Sequence, residues 1–262
     1  MDIPRVNILG VGISALNMDT AIAAIDDYIA SREPHYVCVS AVHNVMESQV
    51  HPELRDVYRN SALMLPEGMP LVWLSKLKGH RDVGRVGGPD FFVTVCEKSV
   101  KRGYRHFLYG GPPGVAEQLA IKLQDRFPGI QIVGTYSPPF RPFPLEEDPE
   151  EVRMINATEP DIVWVALGVP KQDRWMATRI GKLTAPVLAG VGYAFDVHSG
   201  RKKQAPLWMQ RSGLEWLFRL IDEPRRLAYR YLVYNTLFVL LVILQSLGLR
   251  KYQVEPASHP PR

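Results

Sequence analysis

The feature that most constrains this chain is a series of short, almost uninterrupted apolar runs separated by segments with helical spacing. The clearest run, DIVWVAL at residues 161–167, has the composition of a strand buried on both faces of a parallel sheet. Similar runs predict strands at residues 6–9, 36–42, 62–65, 105–109, 130–135 and 187–191. Apolar residues at helical intervals predict helices at residues 20–31, 52–60, 89–101, 115–127, 150–157 and 172–183.

Strands that alternate with helices in this way predict an α/β fold, a mainly parallel Rossmann-like sheet flanked by helices. In such sheets, ligands bind beyond the carboxyl ends of the strands, where the connecting loops converge. We therefore expect a functional site built from the loops that begin at Gly10, Ser40, Pro66, Gly110, Gly168 and Gly192.

Beyond Gly200 the alternation ends, and the chain becomes first basic and then uniformly apolar. Residues 201–230 are rich in lysine and arginine, which favours an anionic partner such as lipid or phosphate. Residues 231–249 carry no charge, and a helix of that length would be about 28 Å long, barely enough to cross the hydrocarbon core of a bilayer. We expect a helix at the lipid interface; a buried helix or a dimer interface is the alternative.

These patterns predict three regions: an α/β catalytic domain at residues 1–200, a helical membrane-associating appendage at 201–252 and a disordered, proline-rich tail at 253–262. The amino terminus lacks a basic segment followed by an apolar one, so the catalytic domain is expected to remain in the cytoplasm. Cys38 and Cys96 lie in apolar stretches and are expected to be reduced core residues, because no Cys/His cluster has zinc spacing.

One glycine pattern raises the alternative of a nucleotide-cofactor oxidoreductase. Gly10, Gly12 and Ala15 match the loose dinucleotide-binding pattern G-x-G-x-x-A after a predicted strand. That site also needs an acidic residue at the end of the second strand to hold the ribose, and the second strand here ends at Ser40. The pattern is therefore weak support for this function.

Other loops at the predicted site carry residues suited to sugar and phosphate chemistry. Glu67, held between a proline and a glycine, is a candidate general base for activating a hydroxyl. Gly111 lies in GGPPG at a strand-to-helix junction, which is either a phosphate-binding turn or a plain tight turn. Lys171 offers a charge to phosphate, and Gln172 offers a donor and an acceptor. Asp196 would either bind a ribose hydroxyl or cap a turn.

The order of several motifs is more informative than any one of them. The series PEGMPLVW, GGPDFF, FLYGGPPG, DIVWVALGVPKQDRWM, GVGYAFDVHSGRKKQAP and GLEWLFRLIDEPRR runs over residues 36–230. It resembles the WecG/TagA/CpsF family of glycosyltransferases, and the GxPKQ and EWLxRLxxEPxR patterns are the most specific part of the resemblance. The last thirty or so residues fall outside it.

The resemblance implies inverting transfer from a UDP-sugar to a polyprenyl-diphosphate-linked saccharide, without a bound metal or cofactor. Such transfers serve exopolysaccharide, capsule, common-antigen or teichoic-acid synthesis at the cytoplasmic face of the membrane. A nucleic-acid partner is not expected, and either a monomer or a homo-oligomer is compatible with the sequence. A scaffold of the same fold that has lost activity is the second alternative.

The resemblance also implies roles for individual residues. Glu67 stands where the family has the Asp of a DG turn as its base, and Gln172 matches the family's active-site glutamine. The family's Thr-x-Asn becomes Ser40-Ala-Val, so Ser40 keeps the hydroxyl and His43 or Asn44 would replace the amide. The GGPDFF motif adds Gly88 and Asp90 as substrate-binding candidates. On the appendage, the candidates for the diphosphates are Arg219, Arg225, Arg226 and Arg230.

Overall fold

The computed structural model describes residues 2–139 and 148–254 of the chain. Its main feature is a six-stranded parallel sheet with the strand order β4-β3-β8-β7-β5-β6. The strands are β3 (His35–Ser40), β4 (Leu63–Pro66), β5 (Arg105–Gly110), β6 (Gln131–Tyr136), β7 (Ile162–Ala166) and β8 (Val187–Gly190). The predicted α/β fold with a mainly parallel sheet is therefore confirmed.

Helices cover both faces of this sheet. Those of the first 200 residues are α1 (Met18–Ser31), α2 (Val42–Val50), α3 (Glu53–Asn60), α4 (Met69–Leu77), α5 (Gly88–Arg102), α6 (Val115–Arg126), α7 (Pro149–Asn156), α8 (Lys171–Arg179) and α9 (Ala194–His198). The short helices α2, α4 and α9 were not predicted from the apolar spacing. Each follows directly on a strand end, so each helps to form the loops at that edge of the sheet.

Alternate residues of the central strands point into two separate cores. On β7, Trp164 contributes to one core, where Phe91 and Phe92 meet its ring edge-on. Val163 and Val165 contribute to the other core. The five residues of β7 are all almost completely buried, which explains why this strand is apolar at every position instead of alternating between apolar and polar residues.

The first predicted strand does not belong to this sheet. Residues of β1 (Arg5–Ile8) pair antiparallel with β2 (Val11–Ser14), and Leu9 and Gly10 form the turn between them. Gly10 has a φ of 85°, as the turn of a hairpin requires, and no helix follows it directly. The expectation that the Gly10 loop contributes to the site is wrong, and this hairpin lacks the strand-turn-helix geometry of a dinucleotide site.

Three helices form the carboxyl-terminal part of the chain: α10 (Leu207–Arg211), α11 (Glu215–Asp222) and α12 (Pro224–Ser246). Helix α12 begins seven residues before the uncharged run and is long and apolar enough to cross a membrane. Only 11% of its most apolar window is buried within the protein, so α12 is not a buried core helix. Its outer face is free to contact lipid or another protein.

Helix α12 is attached to the rest of the protein by one face. Phe238 is buried against the core beside α2, and the Tyr234 hydroxyl donates a hydrogen bond to Glu47 on α2 at 3.0 Å. At its carboxyl-terminal end, the backbone N–H of Leu9 donates to the side chain of Gln245 at 3.1 Å. The amino-terminal hairpin therefore anchors the last helix.

The tail predicted for residues 253–262 falls mostly outside the described ranges, which omit residues 255–262.

A buried carboxylic acid connects three helices beneath the sheet edge. Asp173 on α8 is completely buried, and its Oδ2 accepts hydrogen bonds from the Tyr58 hydroxyl of α3 at 3.2 Å and from the Asn44 amide of α2 at 3.3 Å. Burial raises the pKa of the Asp173 carboxyl from 3.8 to about 7, although these two hydrogen bonds oppose the rise.

This raised pKa predicts a specific dependence of stability on pH. Between about pH 4 and about pH 7, Asp173 keeps its proton in the folded protein and loses it in the unfolded chain, so stability falls as the pH rises. The Asp173→Asn variant does not titrate there. Relative to wild type, its free energy of unfolding should therefore increase by on the order of a few kcal/mol over that interval.

Denaturant unfolding of both proteins at about pH 5 and about pH 8 measures this difference. Asp125→Asn, at an exposed position on α6, is the control and should follow wild type at both pH values. A difference between Asp173→Asn and wild type that did not change with pH would contradict the prediction.

Candidate active site

A cleft of about 820 Å³ lies at the carboxyl ends of the parallel strands. This volume is within the range that small-molecule sites occupy. The loops after β3, β4, β5, β7 and β8 form its floor, and α4, α11 and α12 form its walls. It brings together nine of the residues predicted to act in the site: His43, Asn44, Glu67, Gly111, Gln172, Asp196, Arg219, Arg226 and Arg230.

The carboxylate of Glu67 is held by the backbone around it. Its peptide N–H donates to the Ser40 carbonyl at 2.9 Å, which continues the pairing of β4 with β3 by one residue. Its Oε1 accepts a hydrogen bond of 2.8 Å from the N–H of Gly88, the first residue of α5. Glu67 thus lies at the amino-terminal end of a helix, where the unpaired N–H groups stabilise negative charge.

A side chain at position 88 would crowd this contact. A Cβ there would lie 3.2 Å from the Val191 carbonyl oxygen and 3.5 Å from Glu67 Oε1. Gly88 does not line the cleft, so its described contact is with the candidate base and not with the space a substrate would fill.

Gln172 lies in the first turn of α8 and is only 2% exposed, at the bottom of the cleft. Its Oε1 accepts a hydrogen bond from the N–H of Gly168 at 3.2 Å. A Cβ at Gly190 would lie 3.0 Å from Gln172 Nε2, and a Cβ at Gly192 would lie 3.1 Å from its Oε1. Gly190, at the end of β8, and Gly192, two residues later, therefore leave the space that the Gln172 amide occupies.

An arginine that the sequence did not identify connects the first turn of α5 with α11. Arg85 donates to Asp90 at 2.9 Å and to Glu215 of α11 at 2.7 Å, and its side chain is only 13% exposed. Burial works to lower the pKa of the Arg85 guanidinium, but the charges of Glu215 and Glu67 outweigh it and raise the pKa. Burial and then the charge of Glu67 raise the pKa of the Glu215 carboxyl. Arg85 thus offsets the repulsion between these two carboxylates.

The opposite wall of the cleft is positively charged. Arg219 lies over the ring of Tyr193 at 4.4 Å from the ring centroid, a cation–π contact that orients it. Arg226 and Arg230 follow on α12, one turn apart. Burial, and then the charges of Arg230 and Arg219, lower the pKa of His43 to about 2, so His43 is neutral. This part of the cleft is suited to an anionic ligand.

Five predicted residues do not line the cleft. Ser40 is completely buried at the end of β3, and its hydroxyl has no hydrogen-bond partner among the described residues. Asp90 is occupied by Arg85 and by the Gln204 amide at 3.0 Å. The others lie beside the cleft or outside it: Gly88, Lys171 and Arg225.

Several cleft residues were missed because the signal for them is not local. Arg85 and Glu215 are separated by 130 positions, and neither was among the candidate site residues. Trp216 also lines the cleft, with its ring edge-on to Tyr231 at 5.9 Å. An arginine two residues before the GGPDFF motif was the one available hint.

The arrangement combines a fixed carboxylate, a buried amide and clustered guanidinium groups. A carboxylate can accept a proton from a hydroxyl, and guanidinium groups pair with phosphate oxygens through two parallel hydrogen bonds. Within residues 2–139 and 148–254, no cluster of three or more His, Cys, Asp or Glu is placed to hold a metal ion. The cleft is therefore best suited to a reaction between a phosphorylated substrate and the hydroxyl group of a second substrate.

Comparison with known proteins agrees with this chemistry. Residues 6–252 match the sequence profile of the Glycosyl transferase WecG/TagA/CpsF family, so the match includes the hairpin and α12, which the motif resemblance had left out. An N-acetylglucosaminyldiphosphoundecaprenol N-acetyl-beta-D-mannosaminyltransferase of Bacillus subtilis is 32% identical over 77% of this chain and 80% of that protein. The enzyme of the same name from Bacillus spizizenii is 33% identical over 69% of this chain and 68% of its own length.

The chain therefore belongs to the WecG/TagA/CpsF family of glycosyltransferases.

Proposed function

We propose that this enzyme transfers a sugar from a UDP-sugar to a polyprenyl-diphosphate-linked saccharide, with inversion at the anomeric carbon and without a metal ion. The names of the two relatives make N-acetylmannosamine the first donor sugar to test, and a diphosphate-linked N-acetylglucosamine the first acceptor. UDP-glucose and the uronic acid of N-acetylmannosamine are the other donors compatible with the family.

The observation that carries this proposal is the position of Glu67 in a cleft that also holds Gln172 and the arginines of α11 and α12. In the proposed step, an acceptor hydroxyl attacks C1 of the donor sugar while the bond from C1 to the UDP oxygen breaks. Glu67 takes the hydroxyl proton, and UDP leaves with the bonding electrons. Direct displacement of this kind inverts C1.

The arginines would bind the diphosphates on either side of this reaction. Arg219 and Arg230 line the cleft, and each can present a planar, permanently charged group to phosphate oxygens. Their charge would stabilise the UDP that leaves. Gln172 would contact the sugar or the diphosphate from the floor of the cleft.

The proposed location is the cytoplasmic face of the membrane, with α12 in contact with lipid. Its uncharged outer face would insert among apolar chains, and the arginines at its amino-terminal end would lie near anionic headgroups. A lipid-linked acceptor would then reach the cleft without leaving the bilayer. Purified protein assayed with a panel of UDP-sugars and polyprenyl-diphosphate-N-acetylglucosamine tests the function directly.

Glu67→Gln should lower kcat by roughly 10²–10⁴-fold, because the amide cannot take a proton. Its carbonyl oxygen can still accept the hydrogen bond from Gly88, so the fold and UDP affinity should be nearly unchanged. Steady-state kinetics and UDP titration measure both effects. Asp196→Asn, which changes another carboxylate of the cleft, should retain most of kcat. Wild-type turnover by Glu67→Gln would show that another group acts as the base.

Arg230→Ala should lower kcat/KM by about 10- to 100-fold, because a charge-assisted contact to phosphate is lost. Arg230→Lys should recover only part of it, because an ammonium cannot pair through two parallel bonds. Arg225→Ala is the matched control: Arg225 is exposed on the same helix but outside the cleft, and activity should remain at the wild-type level. Equal losses at positions 225 and 230 would indicate a general effect of charge near the membrane.

Turnover should persist in excess chelator, within about twofold of the untreated rate, because arginines are proposed to replace a metal at the diphosphate. The measurement compares rates in EDTA with rates in magnesium or manganese. Loss of activity in EDTA that either metal restores would show that the transfer is metal-dependent.

A further inference from the structure

The cleft has a polar half, described above, and an apolar half that the transfer chemistry does not use. The apolar half lies between α4 and α12 and is lined by side chains without charge. Its members are Trp73, Leu74, Leu77, Phe238, Val239, Val242 and Ile243.

These residues form two stripes that run along their helices. On α4, the positions 70, 73, 74 and 77 follow the pattern i, i+3, i+4, i+7. On α12, the positions 235, 238, 239, 242 and 243 follow the same pattern with i+8 added. Such spacing places side chains on one face of a helix. At about 1.5 Å per residue, the stripe from Pro70 to Leu77 is about 11 Å long and that from Asn235 to Ile243 about 12 Å long. The two stripes face each other across one groove.

The groove is open, and much of its apolar surface is uncovered. Trp73 is 46% exposed, Leu77 83%, Val239 56% and Ile243 49%. A contiguous exposed apolar surface beside a cleft indicates a binding site, because leaving it in water is unfavourable. An occupant of this groove must be apolar along its length.

The polar half indicates where such an occupant would begin. Arg226 and Arg230 lie on α12 at the end of the groove that meets the cleft, and Asn235 follows one turn later. From residue 231 to residue 249 the chain then has no charge. A ligand that matches this sequence of surfaces has an anionic group at one end and a long hydrocarbon chain at the other.

We propose that the groove between α4 and α12 binds the first isoprene units of the acceptor's polyprenyl chain, with the acceptor's diphosphate at Arg226 and Arg230. This rests on the proposed function. The groove would fix the direction in which the lipid leaves the cleft, so that the saccharide on the other side of the diphosphate reaches Glu67. Recognition of the acceptor would therefore include its lipid as well as its sugar.

The kinetic test compares two double variants of the full-length protein. Val239→Gln with Ile243→Gln alters the groove. Leu237→Gln with Leu240→Gln is the matched control, because these residues lie on the same helix at 41% and 51% exposure but do not line the cleft. Both pairs of substitutions make the helix equally less apolar. All three proteins are assayed in one detergent with acceptors that carry either an undecaprenyl chain or a methyl group, which has no isoprene unit, on the same diphosphate saccharide.

The groove variant should raise KM for the undecaprenyl acceptor by about tenfold or more, since apolar contact to the chain is lost. For the methyl acceptor, the change should be much smaller, and the control variant should match wild type on both acceptors. Equal losses in the two double variants would overturn the proposal, because the helix would then act only by entering lipid or detergent. Equal losses on the two acceptors would also overturn it.

A second measurement does not depend on turnover. Undecaprenyl diphosphate that carries a photoreactive group on an early isoprene unit is cross-linked to the wild-type protein, and the labelled peptides are identified by mass spectrometry. Label in α4 and in residues 235–243, reduced by unlabelled undecaprenyl diphosphate and not by phospholipid, would support the groove. Label elsewhere would overturn it even if sugar transfer is confirmed, and correct label without sugar transfer would refute the proposed function alone.

Discussion

Burial of the parallel sheet on both faces is the constraint on which the rest of this structure depends. Because helices cover both faces of the sheet, β7 and β8 carry apolar residues at every position, and the polar side chains of the cleft come from the places where strands end. Glu67 and Gln172 come from different loops, yet both reach one cleft for this reason. The small residues at Gly88, Gly190 and Gly192 then decide how closely these side chains approach.

Electrostatic balance in the cleft is distributed between the two parts of the chain. Arg85 donates to Glu215, and its positive charge also acts on Glu67, so part of the repulsion between these two carboxylates is offset within the protein. The arginines of α11 and α12 are placed differently: Arg219 rests on an aromatic ring, and Arg226 pairs with Glu223. Burial, and then the charges of Arg230 and Arg219, keep His43 neutral. This positive surface is the part of the site that a diphosphate would complete.

The sequence was sufficient for the fold class, for the seven strands it predicted and for most of the helices, because buried strands and amphipathic helices have periodic signatures. The sequence did not show which strand the first strand pairs with. Residues 6–9 have the composition of a strand of the main sheet, but the turn at Gly10 leads the chain into β2, which pairs with them in a separate hairpin. The motifs located Glu67 and Gln172 in the cleft. Contacts across 130 positions, such as that of Arg85 with Glu215, leave no local pattern in the sequence. The sequence also could not show that Arg230 lines the cleft and Arg225 does not, because this depends on which face of α12 meets the cleft.

The attachment of α12 to the amino-terminal hairpin has a consequence for synthesis. Leu9 bonds to Gln245 and Asn7 bonds to Tyr252, so the hairpin holds residues that lie 236 and 245 positions further along the chain. A ribosome makes the floor of the cleft, with its candidate base and its glutamine, well before it makes the wall that carries Arg230. Until α12 emerges, the cleft lacks this wall, so the site that combines Glu67, Gln172 and Arg230 is complete only once α12 has been made.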